Sequence, residues 1–237
     1  MSDKAERLAA LAEDPSGDEA RRTCCHALAA GLDRVGRVLW VGGSIIGSDR
    51  AVGRSPFGFG SDATVGVATL AQVAGQLVSP IVALVGEGNR YAAAALLRQL
   101  VEVEYLTWAF AEEDDDAAVW LRSSREERRE FWSPARLRHR AQDRFPASDY
   151  WGHCDLGGHP TPDGMMLLPD HTQTVPGWAL LFDCARHASS AWRNLIQAAE
   201  RLGRRAVVAE EDSVVSSAIE RWMQLDPLHG VDLGEIY

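Results

Sequence analysis

The sequence predicts an all-α fold, a helical bundle of about six or seven helices with one long irregular loop. Apolar residues recur at spacings of three and four over several long segments, as they do on one face of an α-helix. Sustained alternation of apolar and polar residues, which is typical of strands, does not occur. Hydrophobic residues make up 46% of the 237 residues, which is enough to bury one core.

We expect one compact domain in three parts. Residues 1–61 supply N-terminal helices and a loop, residues 62–225 form the core of the bundle, and residues 226–237 form a tail. Segment 1–14 alternates charged residues with alanines, which predicts a short amphipathic helix and lacks the blocks of a secretory signal. An apolar stripe predicts the first long helix over 18–47, and a loop rich in glycine and phenylalanine follows it.

The second long helix is predicted over 63–86, a segment without a charged residue. Its length would allow it to span a bilayer, which needs about 20 residues. Gln72 and Gln76 lie four apart on one face, Pro80 interrupts the run, and neither end carries a belt of Trp or Tyr. These features favour a buried central helix over a membrane span, and Pro80 is expected to kink or split it.

The third long helix is predicted over 90–112, with Asn89 as its cap. An arginine-rich region then extends to Arg144 and predicts two helices joined at Ser133 and Pro134, a cap followed by a first-turn proline.

Glycines and prolines predict that residues 150–174 form the long irregular loop. Helical periodicity returns over 178–202 and again over 212–225.

The composition limits the compartment and the partners. With 24 Lys plus Arg against 34 Asp plus Glu, the net charge is −10, which argues against a protein that coats nucleic acid with its whole surface. Residues 122–144 nevertheless carry a local charge of +4, which indicates either a solvated helix face with internal ion pairs or a patch for an anion or RNA backbone. The four cysteines, with Cys24 beside Cys25, form no disulfide framework, so we expect a cytoplasmic protein.

The third helix carries the first candidate functional residues. At about 100° per residue, Arg98 and Glu102 fall on one face together with Tyr91, Gln99 and Tyr105. Leucines and a valine occupy the opposite arc, and Glu104 intrudes among them. Arg98 and Glu102 form either an ion pair on a solvated face or part of a cleft, in which case they need partners.

Those partners are available in segment 150–160. Tyr150 and His159 lie in it, and His153, Cys154 and Asp155 lie between them. A histidine can serve as acid or base near neutral pH, and an arginine can hold a phosphate through its fork of donors.

Two other kinds of site are less favoured. His153, Cys154, Asp155 and His159 are all legitimate zinc ligands, but their spacing matches no closed zinc pattern, so we expect neither metal nor cofactor. Cys154 lacks the flanking signature of a nucleophile with His159 as its base, so a structural thiol is the better interpretation.

The motif Arg98-Gln-Leu-Val-Glu102, followed by Tyr150 and Gly-His159-Pro, resembles an uncharacterised bacterial helical family with an Arg-x-x-x-Glu helix and a Tyr/His-Pro loop. That family in turn resembles abortive-infection and HEPN-like domains, and the resemblance covers roughly residues 89–202. It implies action on RNA or nucleotides, with Arg98, Glu102, Tyr150 and His159 as the catalytic residues. In the catalytic HEPN-like branch an Arg and a His lie a few residues apart; here Arg21 and His26 have that spacing, early in the chain and without the usual polar residue after the Arg.

Two functions follow as hypotheses. In the first, the chain is an intracellular HEPN-like protein, a defence or stress effector in which Arg98 binds phosphate or orients Glu102 and His159 transfers a proton. In the second, it is a non-catalytic interaction or scaffold protein, and Arg98, Glu102, Tyr150 and His159 form a structural polar network. The corresponding partners are RNA or a nucleotide, another protein, or a second copy in a homodimer; the sequence argues against a membrane.

Overall fold

The protein is all-α, as the sequence predicts. The computed structural model describes residues 14–45, 60–169 and 174–230, and within them nine α-helices and no strand are present. The predicted helix 1–14 and most of the predicted loop 47–61 and tail 226–237 lie outside the described residues.

Five helices are long and form the body of the bundle. They are α1 (Pro15–Ile45), α2 (Asp62–Gly86), α3 (Arg90–Glu112), α8 (Gly177–Arg201) and α9 (Arg205–Leu225). Four helices of seven residues each connect α3 to α8, and they raise the number of helices above the predicted six or seven. They are α4 (Asp116–Arg122), α5 (Arg125–Phe131), α6 (Pro134–Arg140) and α7 (Ala147–His153). Three of them lie before Arg144, where the sequence predicts two.

The predicted cap Asn89 is confirmed at α3, and Ser61 caps α2 by accepting a hydrogen bond from the Thr64 amide. Ser133 and Pro134 begin α6 as predicted, although the Ser133 side chain makes no capping hydrogen bond. The irregular segment starts later than Tyr150, because α7 continues to His153 and a π-helical turn, Cys154–Gly158, follows it. Helix α9 also begins at Arg205, earlier than predicted.

Helix α2 lies at the centre of the bundle and is not split at Pro80. The proline removes the hydrogen bond to the carbonyl of Gln76, which lies on the exposed side of the helix, where water can replace it. Of the described helices, α2 alone is long and apolar enough to cross a membrane, and 56% of its most apolar window is buried inside the protein. It contacts α1, α3, α4 and α8, as expected for a core helix.

Helices α1 and α2 pack at backbone distance. A Cβ atom at Gly36 would lie 2.6 Å from Cγ and 2.9 Å from the backbone nitrogen of Gln72, and one at Gly75 would lie 3.1 Å from the carbonyl oxygen of Ala29. A side chain at either glycine would therefore push the helices apart. This contact joins the N-terminal helix to the same hydrophobic core as the rest of the bundle.

A buried ion pair fastens α1 to the end of α9. Arg21 donates from Nε and Nη2 to the two carboxylate oxygens of Asp226, at 2.6 and 2.7 Å, and both side chains are fully buried. Trp222 donates a further hydrogen bond to the same carboxylate, as does the amide of Leu228. Asp226 is therefore an anchor, although the sequence placed it in a tail.

We predict opposite effects of alanine at two glycines of α1. Gly36→Ala should lower the free energy of unfolding by about 1–3 kcal/mol, because overpacking against Gln72 outweighs the better helix propensity of alanine. Gly42→Ala should raise it by about 0.5–1 kcal/mol, because a Cβ at Gly42 meets no atom within 4 Å. Urea unfolding followed by circular dichroism measures both, and equal effects at the two positions would contradict the close approach.

Candidate functional site

Arg98 lies at the centre of the first polar cluster. Its Nη2 is 2.8 Å from Oε1 of Glu102, one turn along α3, and donates to the hydroxyl of Tyr150 at 3.2 Å. Its Nε donates to Sγ of Cys154 at 3.5 Å. The four residues Arg98, Glu102, Tyr150 and Cys154, here called the Arg98 cluster, are partly accessible, since the side chains of Arg98 and Glu102 are 21% and 32% exposed.

Two glycines bring the π-helical turn against α3. A Cβ at Gly157 would lie 2.6 Å from the backbone carbon of Ala94, and a Cβ at Gly158 would overlap Cδ of Arg98. The backbone of the turn therefore rests directly on the Arg98 side chain and fixes its direction toward Tyr150.

The structure does not bring the His159 imidazole into this cluster. His159 follows Gly158 but is exposed, and its backbone carbonyl accepts a hydrogen bond from the Tyr91 hydroxyl at 3.4 Å. Within the described residues, its ring has no hydrogen bond or ion pair with Arg98, Glu102 or Tyr150.

A second arginine lies on the other side of Tyr150. The guanidinium carbon of Arg138 is 4.4 Å from the centre of the Tyr150 ring and 5.7 Å from that of Trp151, which are cation–π distances. Nε and Nη1 of Arg138 are shielded from solvent and have no hydrogen-bond partner among the described residues. Burial and the contact with Cys154 raise the pKa of Tyr150 despite the charge of Arg98, so its hydroxyl stays protonated and can donate.

A cleft opens beside Arg138. Its volume is 490 Å³, within the usual range for small-molecule sites, and part of its wall is Gln142, which adopts a left-handed backbone conformation with φ of 55°. Besides Arg138 and Gln142, the cleft is lined by Ala135, His139, Phe145, Pro146 and Ala147.

The second polar cluster is buried between α3, α7 and α8, and we call it the histidine network. It begins at Glu104, the residue that intrudes among the leucines of α3. Oε2 of Glu104 is 2.5 Å from Nδ1 of His187, and Nε2 of His187 is 3.2 Å from Nε2 of His153. The remaining members are Asp149, Asp183 and Arg186.

Arg186 closes the histidine network on its outer side. Its Nη2 is 2.9 Å from Nε2 of His187, 2.8 Å from Oδ1 of Asp149 and 3.1 Å from Oδ1 of Asp183. Because arginine only donates, Nε2 of His187 accepts, and the ring proton must lie on Nδ1, facing Glu104. The tautomer of His187 therefore follows from its two partners.

The histidine network contains three carboxylates and one guanidinium. Burial lowers the pKa of His153 and outweighs the nearby charge of Asp183, so its ring is neutral at pH 7. Burial also acts to lower the pKa of Arg186, but Asp183 and Asp149 outweigh it and raise the pKa. Three carboxylates thus face a single guanidinium.

Tyr105 lies beside both clusters. It is fully buried, its ring centre is 4.2 Å from that of Phe145 and 6.2 Å from that of Tyr150, and its hydroxyl has no hydrogen-bond partner among the described residues. Burial first, and then the carboxylates of Asp149 and Glu104, raise its pKa, so the phenol stays protonated. The sequence placed Tyr105 on the polar face with Arg98, whereas the structure buries it.

Two other candidates from the sequence have different roles in the structure. Arg21, half of the Arg–His spacing of the catalytic HEPN-like branch, is committed to its buried pair with Asp226. The four residues of segment 150–160 that are able to bind zinc diverge, because Asp155 and His159 are exposed while His153 lies in the histidine network.

The sequence analysis missed the part of the histidine network on α8. Asp183, Arg186 and His187 lie within a segment of alanine, leucine and cysteine, and all but Arg186 are buried. The usable signal was the presence of charged residues in two apolar stripes, Glu104 in one and Asp183 in the other, since buried charges require partners.

Comparison of the chain with protein-family models, with curated proteins and with solved structures finds no match.

We predict that Glu104 contributes far more to the free energy of unfolding than Glu102 does. Glu104→Ala leaves the Nδ1 proton of buried His187 without its acceptor and should lower the free energy of unfolding by about 3 kcal/mol. Glu102→Ala, on the same helix, removes a partly exposed ion pair and should cost about 1 kcal/mol or less. Urea denaturation of the two variants provides the comparison, and a Glu102 variant as unstable as the Glu104 variant would contradict it.

Proposed function

We propose that this chain is a cytoplasmic HEPN-like helical protein that binds the phosphate groups of an RNA or a nucleotide and acts as a defence or stress effector. The observation that carries the proposal is the Arg138 guanidinium, which stacks on Tyr150 and lines the open cleft. An arginine that an aromatic ring positions beside a cleft is suited to a phosphate.

The surroundings of Arg138 supply the other elements of such a site. Arg98 holds the Tyr150 hydroxyl from the opposite side, so the ring that supports Arg138 is fixed. The cleft of 490 Å³ lies within the size range of small-molecule sites, and Phe145 lies in its wall. The surrounding segment 122–144 has the local charge of +4 within a chain of net charge −10, which confines anion binding to this side.

Cleavage of a bound RNA is the activity that the resemblance implies. Arg98 orients Glu102 through their contact, and the protonated Tyr150 hydroxyl can donate to a phosphate oxygen. The resemblance assigns proton transfer to His159, whose ring is exposed and has no hydrogen bond or ion pair with the Arg98 cluster among the described residues.

A second candidate is a non-catalytic scaffold in which these residues only stabilise the fold. The favouring observation is that Arg98 already has three partners, Glu102, Tyr150 and Cys154, so its own hydrogen-bonding capacity is largely used. In that case a ligand would not stabilise the protein, and the loss of Arg98 would destabilise it.

The proposal predicts that Arg138→Gln weakens RNA binding about tenfold and lowers the magnitude of the salt slope by about 1, because one phosphate contact is lost. The measurement is fluorescence anisotropy of an end-labelled single-stranded RNA of about ten nucleotides at several salt concentrations. Arg37→Gln is the matched control, since it removes the same charge from an exposed position on α1, 70% exposed, and should bind like the wild type.

Two readouts on the wild type and His159→Ala separate the effector function from the scaffold function. They are thermal unfolding with and without this RNA, and cleavage of the RNA. An RNA that stabilises both proteins but is cleaved only by the wild type supports the effector function with His159 as proton-transfer group. No RNA-dependent stabilisation of the wild type, with Arg138→Gln and Arg37→Gln indistinguishable in anisotropy, would reject phosphate binding and leave the scaffold.

A further inference from the structure

We propose that His153, His187 and Asp149 form a binding site for a divalent transition-metal ion of the zinc type. Within the described residues, these three side chains are the group of metal-ligating residues whose donor atoms converge, all within 4.8 Å of one another. The site is separate from the Arg98 cluster and does not depend on the proposed RNA binding.

The distance between the two imidazole nitrogens fits a tetrahedral ion, and the Asp149 carboxylate lies farther out, with all three donor atoms within 4.8 Å of one another. A tetrahedral Zn²⁺ about 2.05 Å from two imidazole nitrogens holds those nitrogens about 3.3 Å apart. Nε2 of His153 and Nε2 of His187 are 3.2 Å apart, and Oδ1 of Asp149 is 3.8 Å from Nε2 of His153. Asp183 Oδ2 lies 4.0 Å from Nε2 of His153, outside this group of three.

The surrounding contacts orient the ligands as metal sites require. Asp149 and His153 lie four residues apart on α7, while His187 comes from the rigid helix α8. Glu104 accepts the Nδ1 proton of His187 and so directs the Nε2 lone pair toward the proposed ion. This carboxylate–histidine–metal arrangement is the usual second shell of a histidine ligand.

Arg186 marks the position of the cation. Its Nη2 contacts His187, Asp149 and Asp183 at 2.8 to 3.1 Å, the distances of a guanidinium among ligands that a metal would approach more closely. Its side chain is 46% exposed, so it can turn into solvent without opening the bundle. Metal binding is therefore an exchange in which the guanidinium leaves and the ion enters.

The test uses the full chain, freed of metal by dialysis against a chelator. Isothermal titration with ZnCl₂ should give one ion per chain, and CoCl₂ should give the visible absorption of a four- or five-coordinate Co²⁺ site. His187→Gln should weaken binding about a hundredfold or more, and Glu104→Gln about 10- to 100-fold. His26→Gln, at an exposed position on α1, is the matched control and should bind like the wild type.

The Arg186→Gln variant separates metal binding from misfolding, because the proposal predicts that its affinity for Zn²⁺ rises. Removal of the competing guanidinium should tighten Zn²⁺ binding about tenfold, and a gain of affinity requires a folded site. No stoichiometric binding in either the wild type or Arg186→Gln would overturn the proposal and assign the network to fold stability alone. Binding that persists in His187→Gln but falls in His26→Gln would also overturn it, as adventitious surface binding.

Discussion

Burial of the Glu104 carboxylate between α3 and α8 is the constraint on which this side of the bundle depends. A buried carboxylate without a partner would cost several kcal/mol, so α8 must present His187 at this level of the helix pair. The orientation of His187 then fixes the direction of its Nε2, and His153 and Arg186 assemble around that atom. One charge in an apolar stripe thus determines the relative positions of three helices.

Glycine plays a complementary role where the helices must approach closely. Between α1 and α2, Gly36 and Gly75 let the backbones come together, and in the π-helical turn Gly157 and Gly158 do the same against α3. The first approach builds the core, and the second presses a turn onto Arg98. The polar contacts of the Arg98 cluster are therefore consequences of backbone packing as much as of charge.

The fold class and the long helices could be predicted because helical periodicity is a local property that each segment carries by itself. The short helices between α3 and α8 were predicted less well, since seven residues make fewer than two turns and give little periodic signal.

The Arg98–Glu102 contact follows from a spacing of four, and the contact with Tyr150 is expected because a partly buried arginine needs hydrogen-bond acceptors. The Glu104–His187 contact could not be predicted from the sequence, because 83 residues separate the two partners. The apolar stripe of a helix does not specify which other helix it packs against. For His159 the motif indicated a site residue, whereas the structure exposes the ring, since a turn of two glycines aims the backbone, not the next side chain, at Arg98.

The Arg21–Asp226 pair also bears on how the protein is made. The two residues are 205 positions apart, so at the usual rates of translation the ribosome adds Asp226 on the order of 10 to 40 s after Arg21. Until then the bidentate contact with Asp226 cannot form, so α1 is not yet joined to the end of α9. The nascent chain can form its helices early, but it closes its interior only near the completion of α9.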